Sequence, residues 1–545
     1  MKPHLLTLAL LALPAAVRAQ EPAHAHAHGT PQLGTVSFRN SGAAAAQAPF
    51  LRGLAFLHNF EYRDAADAFR EAQRADPRFA MAYWGEALTY SHVLWFEEDL
   101  PASRAALARL AATPAARLAL AGTARERAYG AAVEAFFADA PPAARYTAFA
   151  DSMRALSARD TADLEAASLA SLALQMALYS GAVPAERRAA VRGDAITLAQ
   201  RVFRVAPRHP GAAHYLIHAT DAPGFAAGGL DAARAYARIA PDAEHALHMP
   251  SHIFLQVGMW DDVVASNERA WAASREWVRA RGASPRALSF HTLGWLQYAY
   301  LQQGRFRAAR ALVDTAHAVL AGVDLSPAGG GGADARLAEP SLRFALAAET
   351  GDWTLVPAAG APRPGPSSAA PSQRAWIFAN IAAFQQAAAA GMRGDSAAPA
   401  AAARDFQRLI DAGEGGVGLQ FAATRLRAIA AHARGDGPGA IALMREAAAV
   451  EDRTQPVGPV SLSAHELLGA WLLRAGDARG AAEAYAGALA LMPNRSSALL
   501  GLARARAALG ERDAAADAAR SLLANWKQGD ETAELAEARR LAASR

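Results

Sequence analysis

The chain has 545 residues, 52% hydrophobic and 19% charged, with a formal charge of +4 and no cysteine. Without cysteine there can be no disulfide staple, thiolate zinc site, iron–sulfur cluster or thioether-linked haem, so any metal must sit on His, Asp, Glu or backbone oxygen. The basic residues are almost all Arg and are interspersed with acidic ones; with no basic stripe, nucleic acid is not an expected partner.

Residues 1–19 read as a secretory leader. Lys2 supplies the charged start, Leu5 to Val17 the apolar run, and Val17-Arg18-Ala19 the small residues before Gln20. That run is too short to span a membrane permanently. No later stretch is longer and equally apolar, so stable membrane insertion is not expected, and the mature chain is expected to be periplasmic or secreted. Residues 20–45 read as a disordered tail, in which His24, His26 and His28 alternate and could hold a metal ion weakly.

From residue 46 a 34-residue period begins, the length of a tetratricopeptide (TPR) unit of two antiparallel helices. Gly53, Phe56, Ala65, Phe69, Ala72 and Pro77 fall at unit positions 8, 11, 20, 24, 27 and 32, and Ala87 and Tyr90 continue the next unit. Small residues permit close helix contact, aromatics fill the space between helices, and the proline stops a helix. A middle unit holds Leu293, Leu296, Gly304, Ala309 and Ala316. Near the C-terminus, Gly469, Leu472, Ala481, Tyr485, Ala488 and Pro493 repeat the pattern, followed by Ala503, Ala515 and Ala519. Residues 100–200 are helical by pattern but fit the template poorly. Breaks occur at Pro327–Gly332, Pro357–Pro371 and Glu414–Gly418, and a boundary near residue 325 separates a first array, residues 46–325, from a second, residues 338–545. The expected fold is an all-α, TPR-like α-solenoid of antiparallel helix pairs.

Histidines concentrate in the first array. His214 and His218 are spaced i,i+4, as are His248 and His252, which on a helix puts both imidazoles on one face. Such a pair can clasp a divalent ion at about 2.0–2.1 Å per bond. With a unit starting near residue 210, His214, His218 and Asp221 take positions 5, 9 and 12; with the next near 244, His245, His248 and His252 take positions 2, 5 and 9, and His291 follows at position 2. In TPR proteins positions 2, 5, 9, 12 and 13 of the first helix line the concave groove. Starting the unit after Pro210 instead moves His214 and His218 to positions 2 and 6, and Pro250 kinks the helix unless that helix begins shortly before it. His58 and His92 fall at position 13, and Trp84 at position 5, where it either stacks a ligand or packs between repeats. Glu61 and Glu97 are candidate carboxylates, with exposed helix charge as the plainer reading.

These residues give two readings. In the first, the groove binds a protein, peptide or small ligand, with His58, Trp84, His92, Asp221 and His291 as contacts. One divalent transition metal (Zn, Cu, Ni or Fe) then sits on His214, His218, His248 and His252, with His245 and Asp221 at its edge. In the second, the same cluster serves a metal-dependent enzyme. The His214–His218 segment lacks the Glu of a zinc-protease helix, His465-Glu466 lacks its second His, and neither a phosphate loop nor a nucleophile elbow is present. Ala80-Met-Ala-Tyr-Trp-Gly-Glu-Ala87, His214-Tyr-Leu-Ile-His218 and His245-Ala-Leu-His-Met-Pro-Ser-His-Ile-Phe254 resemble a family of secreted bacterial TPR proteins. The likeness is specific over residues 50–100 and 210–310. It implies the fold and the weight of these segments, and it implies no reaction.

Overall fold

In the computed structural model, residues 31–326, 333–358, 363–370, 372–454 and 457–543 are described. The leader, His24, His26, His28 and the Pro327–Gly332 break lie outside them. The chain is an all-α solenoid. Its strands among the described residues are Ser91–His92 and Glu97–Glu98, paired antiparallel with Ser91 opposite Glu98.

The repeat template reappears as packing. The unit Ala44–His58 and Tyr62–Ala75 buries Ala65, Phe69 and Ala72 between its helices. A Cβ at Gly53 would lie 2.9 Å from the Phe69 ring, and one at Gly85, in the next helix Ala80–Leu88, 2.4 Å from it. Near the other end, Tyr485 is clasped in the same way by Gly469 and Gly501, where a Cβ would lie 2.9 Å and 2.2 Å away. One aromatic held between two glycines, on its own unit and the next, is what the 34-residue period encodes. The poorly matching region also consists of packed helices, with Pro142–Arg159 against Leu164–Tyr179 and that against Arg188–Val205.

Two expectations change. From residue 31 the supposed tail lies in the fold. Leu33 and Phe38 are buried, the Asn59 side-chain amide donates to the Leu33 carbonyl, and the Thr35 amide donates to the Arg208 carbonyl. The apolar Leu33 and Phe38 find cover there, which offsets the entropy of ordering the segment. Pro250 does not spoil the histidine spacing either. Helices Glu244–His248 and Pro250–Gln256 meet at Met249, whose φ of −55° and ψ of −34° are helical, so the path continues with one hydrogen bond missing.

The helices after residue 332 pack onto those before residue 326. Helix Ala333–Thr350 contributes Ala335, Ala338, Leu342 and Leu346 to the core containing Leu293 and Leu296. Further on, the Trp260 indole donates to the Asn494 carbonyl, Asn494 donates to the Gly258 carbonyl, and Arg307 pairs with Asp530. Arg374, in helix Gln373–Met392, pairs with Asp334 and donates to the Trp95 carbonyl. Both arrays therefore wall one cavity. Among the described residues, no helix is long and apolar enough to cross a membrane.

Candidate metal centre

His209 caps the helix Pro210–Thr220, its Nδ1 accepting the Ala212 amide at 3.2 Å, and Pro210 occupies the first turn, where its missing N–H costs nothing. The start at Pro210 puts His214 and His218 one turn apart on a buried face. Their rings lie 4.8 Å apart, and His245, from the next first helix, lies 4.9 Å from His214. His248 and His252 are joined by His291, whose ring is 4.8 Å from that of His248. The six imidazoles thus sort into two triads, His214–His218–His245 and His248–His252–His291. Each offers nitrogens that all lie within 4.8 Å of one another. The triads adjoin, with His218 and His252 rings 5.9 Å apart and His245 and His248 rings 6.0 Å apart. All four paired histidines share one neighbourhood, as expected. His245, expected at the edge, belongs to a triad, and so does His291.

Hydrogen bonds on the far side of the rings fix the tautomers. His214 Nδ1 donates to the His58 carbonyl at 2.6 Å. His252 Nδ1 donates to the Asp221 carboxylate at 2.7 Å, and Gln256 donates to the other Asp221 oxygen at 3.3 Å. His248 Nδ1 lies 2.7 Å from Asn267 Oδ1, and the Asn267 amide nitrogen donates to the Val263 carbonyl, so Oδ1 is the end that faces the ring. In neutral His214, His248 and His252 the proton therefore sits on Nδ1, and Nε2 carries a bare lone pair.

Those lone pairs point at one another. His248 Nε2 and His252 Nε2 are 3.1 Å apart, and with both Nδ1 protons committed they cannot hydrogen-bond to each other as neutral rings. His214 Nε2 faces His245 Nε2, also at 3.1 Å, and that pair can bond only if His245 carries its proton on Nε2. His218 Nε2 is buried with no partner among the described residues. Two nitrogens bound to one ion at 2.0–2.1 Å stand about 2.9–3.4 Å apart for bond angles of roughly 90–109°. Burial, reinforced by neighbouring imidazoles, pushes His218, His245 and His248 well below the usual histidine range. Burial likewise takes His214 and His291 down to about 3. These five rings are kept neutral, the form in which they ligate.

The centre opens on a cavity of about 600 Å³, lined on the first-array side by Tyr62, His92, Trp95 and Trp277 and on the second by Arg374 and Phe378. His291 is exposed to this space although surrounded by protein. Trp295 walls the second triad, 4.2 Å from the His252 ring. Two carboxyl groups line the cavity beside His245. Burial and the nearby Glu244 push Glu61 up to about 8, and burial pushes Glu244 up to about 7. Glu61 accepts the His245 amide at 3.1 Å, and Glu244 accepts the Thr292 hydroxyl at 2.9 Å.

The other sequence candidates fall differently. His92 faces the cavity, stacked on Tyr62 at 3.8 Å, with Nε2 on the Thr89 carbonyl and Nδ1 3.4 Å from Glu97. Trp84 is in the core, where Phe38 of the N-terminal segment and Tyr129 pack against it and against each other. His58 is buried apart from the triads. Its Nε2 and that of His209 donate to the two oxygens of Glu165 at 2.8 and 3.0 Å, and its Nδ1 accepts from the Tyr215 hydroxyl at 2.9 Å. Burial opposes ionisation of Glu165, yet the two imidazoles hold its carboxyl well below the usual carboxylate range. With its nitrogens and oxygens all partnered, this cluster reads as a polar staple whose His58 carbonyl orients His214. Sequence reasoning missed Asn267, Glu244 and Arg374. A polar residue at a buried position between Val263 and Ala270 was the one available signal for Asn267.

No protein-family model matches the chain, and no curated protein matches it in sequence. Solved structures with a similar course include a monomeric IFIT1 mutant with Gppp-AAAA, 12% identical, with a TM-score of 0.32, covering 89% of this chain and 91% of that one. A human IFIT1 dimer with m7Gppp-AAAA is likewise 12% identical, with a TM-score of 0.31, covering 93% of this chain and 92% of that one.

Proposed function

We propose that this chain is a helical-repeat metalloprotein in which each histidine triad takes one divalent transition metal ion and presents it to a small ligand in the groove cavity. The observation that supports this most directly is the pair of bare Nε2 atoms of His248 and His252, 3.1 Å apart with their Nδ1 protons held by Asn267 and Asp221. Opposed lone pairs in a buried place repel, and burial resists a proton on His248. A metal cation between them converts that cost into two bonds. Imidazole-only donor sets suit Zn, Cu, Ni or Fe, and three donors per ion leave coordination positions for a ligand. Two three-histidine sites replace the single four-histidine site read from the sequence.

Elemental analysis of the full chain, loaded with each of these metals and dialysed, tests the reading. Two ions per chain are expected, falling to one in His248→Ala and in His214→Ala. Asp221→Asn should weaken one ion about 10–100-fold in competition with a chelator, because it loosens the group that orients His252. No retained ion with any of the four metals would overturn the proposal.

A catalytic version of the same reading is favoured by Glu61 and Glu244, two carboxyl groups on the cavity wall beside the first triad. Once ionised, which burial in the metal-free chain delays to about pH 8 for Glu61 and about pH 7 for Glu244, a carboxylate so placed can take the proton from a metal-bound water. Hydrolysis of a small activated ester by the zinc-loaded chain should drop at least about 100-fold in Glu61→Gln with zinc retained. Equal rates in the two proteins would count against catalysis by this group.

A further inference from the structure

We infer that the cavity over the triads takes a flat aromatic ligand bearing an oxygen donor, of the phenol or catechol class, with its ring against the aromatic wall and its oxygen toward the metal ions. This rests on the metal reading above and specifies the ligand.

The wall is the first argument. Three of the chain's ten tryptophans, Trp95, Trp277 and Trp295, line this one space. Trp95, Trp277, Tyr62 and Phe378 are only half-buried; the Tyr62 faces are taken by Phe60 and His92, and Arg63 and Arg281 lie over Trp277 at 5.6 and 5.1 Å, so what stays uncovered inside the concavity is part of Trp95 and Phe378 and the edges of Tyr62 and Trp277. Protein interiors close over such surface when packing is the only demand, and apolar surface left open in a pocket marks a place where a ligand finishes the packing.

The arrangement of the rings is the second. Phe60 lies parallel to His245 of the first triad, at 5.4 Å and 19°. Tyr62 lies parallel to Phe60 at 5.2 Å and 20°, and His92 parallel to Tyr62 at 3.8 Å and 19°. Trp95 stands edge-on to this column, at 87° to Phe60, 86° to Tyr62 and 74° to His245. The column leads away from His245 of the first triad, and a flat ligand beside it meets the column's ring edges and the Trp95 ring, in the edge-to-face geometry aromatic pairs prefer. A puckered, saturated ring gains none of that. The cavity volume, about 600 Å³, is ordinary for a small-molecule site.

Charge is the third. Imidazole donors bring no negative charge to a metal ion, and the Asp221 carboxylate beside His252 is one charge against two dications, so burying both ions is costly without a further anion. The oxygen of a phenol or catechol, ionised on the metal, supplies a ligand atom and a compensating charge together.

The test uses the full chain loaded with zinc, which is redox-inert, and titrated with catechol by calorimetry beside cyclohexane-1,2-diol as the saturated match. Catechol should bind once per chain, about tenfold or more tighter than the diol, and Trp95→Leu and Trp277→Leu should each weaken it about three- to tenfold with zinc content unchanged. Removing zinc should abolish the preference. Equal binding of the two diols, or indifference to catechol by a chain holding two zinc ions, would overturn this inference and leave the metal reading standing. A chain that retains no zinc would overturn the metal reading and this inference with it.

Discussion

At the scale of the residue, the centre sets two kinds of buried group against each other. Burial lowers the histidines, His214 to about 3, and raises the carboxyls, Glu61 to about 8 and Glu244 to about 7. In the metal-free chain each has a definite linkage sign. A histidine lowered from its ordinary 6.5 binds its proton more readily when unfolded, so it removes stability as pH falls from about 6.5 toward 3. A carboxyl raised from about 4.5 binds its proton more readily when folded, so it removes stability as pH rises from about 4.5 to 8. Between 4.5 and 6.5 the lowered histidines outnumber the two carboxyls, and above 6.5 only the carboxyls act. Stability in chelator should therefore peak near pH 6.5–7. His214, fully buried, accounts for about 2 kcal/mol of the loss at pH 5. Urea midpoints at pH 5, 6.5 and 8 check this, and His214→Leu should flatten the acid limb. A highest midpoint at pH 5 would contradict the assignment. The i,i+4 pairs made the histidines legible in the sequence. Their division into triads was not, because it depends on Nδ1 partners at His58, Asp221 and Asn267 that come from three separate helices or helix ends.

At the scale of the element, the repeat template was legible because its glycines and aromatics recur at fixed spacing for a steric reason. Gly85 sits in a helix interior, where glycine is a poor choice unless something forbids a side chain. Here the Phe69 ring does, at 2.4 Å from where a Cβ would be. Gly294, in helix Phe290–Gln302, meets nothing within 4 Å. Gly85→Ala should cost about 1–3 kcal/mol through overpacking, and Gly294→Ala should gain about 0.4–1 kcal/mol through the unfolded chain. Thermal or urea unfolding of the two variants side by side reads the contrast, and equal effects would mean that the clasp is not rigid. The same template left Trp84 open between the groove and packing between repeats. The cover that decides for the core is supplied by Phe38, which arrives from a segment outside any repeat that a periodic template does not represent.

At the scale of the whole molecule, the sequence carried the repeats on either side of the Pro327–Gly332 break but no sign that the later helices return to wall the cavity of the earlier ones. That return rests on contacts about 200 residues apart, and none has a local signature. Its centre is Arg495, buried, whose guanidinium donates at 2.6 Å to each of Glu466, Glu349 and the Tyr298 hydroxyl. Tyr298 belongs to the first array, so one side chain ties it to both carboxylates. Burial raises the Glu349 carboxyl and Arg495 pulls it back down. Replacing the arginine therefore leaves two neighbouring buried carboxyls with no counter-charge, which costs about 3–5 kcal/mol. Arg495→Met should lower the melting temperature and split unfolding into two transitions as the arrays uncouple. Adding Glu349→Gln should recover part of the loss, because it removes one of the stranded charges. All six triad histidines lie in the first array, so both metal ions should stay bound to Arg495→Met. Catechol affinity should fall, because Phe378 reaches the cavity only while the second array is docked. A variant that melts in one unshifted transition would place the coupling elsewhere along the contact, at the Gly258–Asn494 or Arg307–Asp530 bonds.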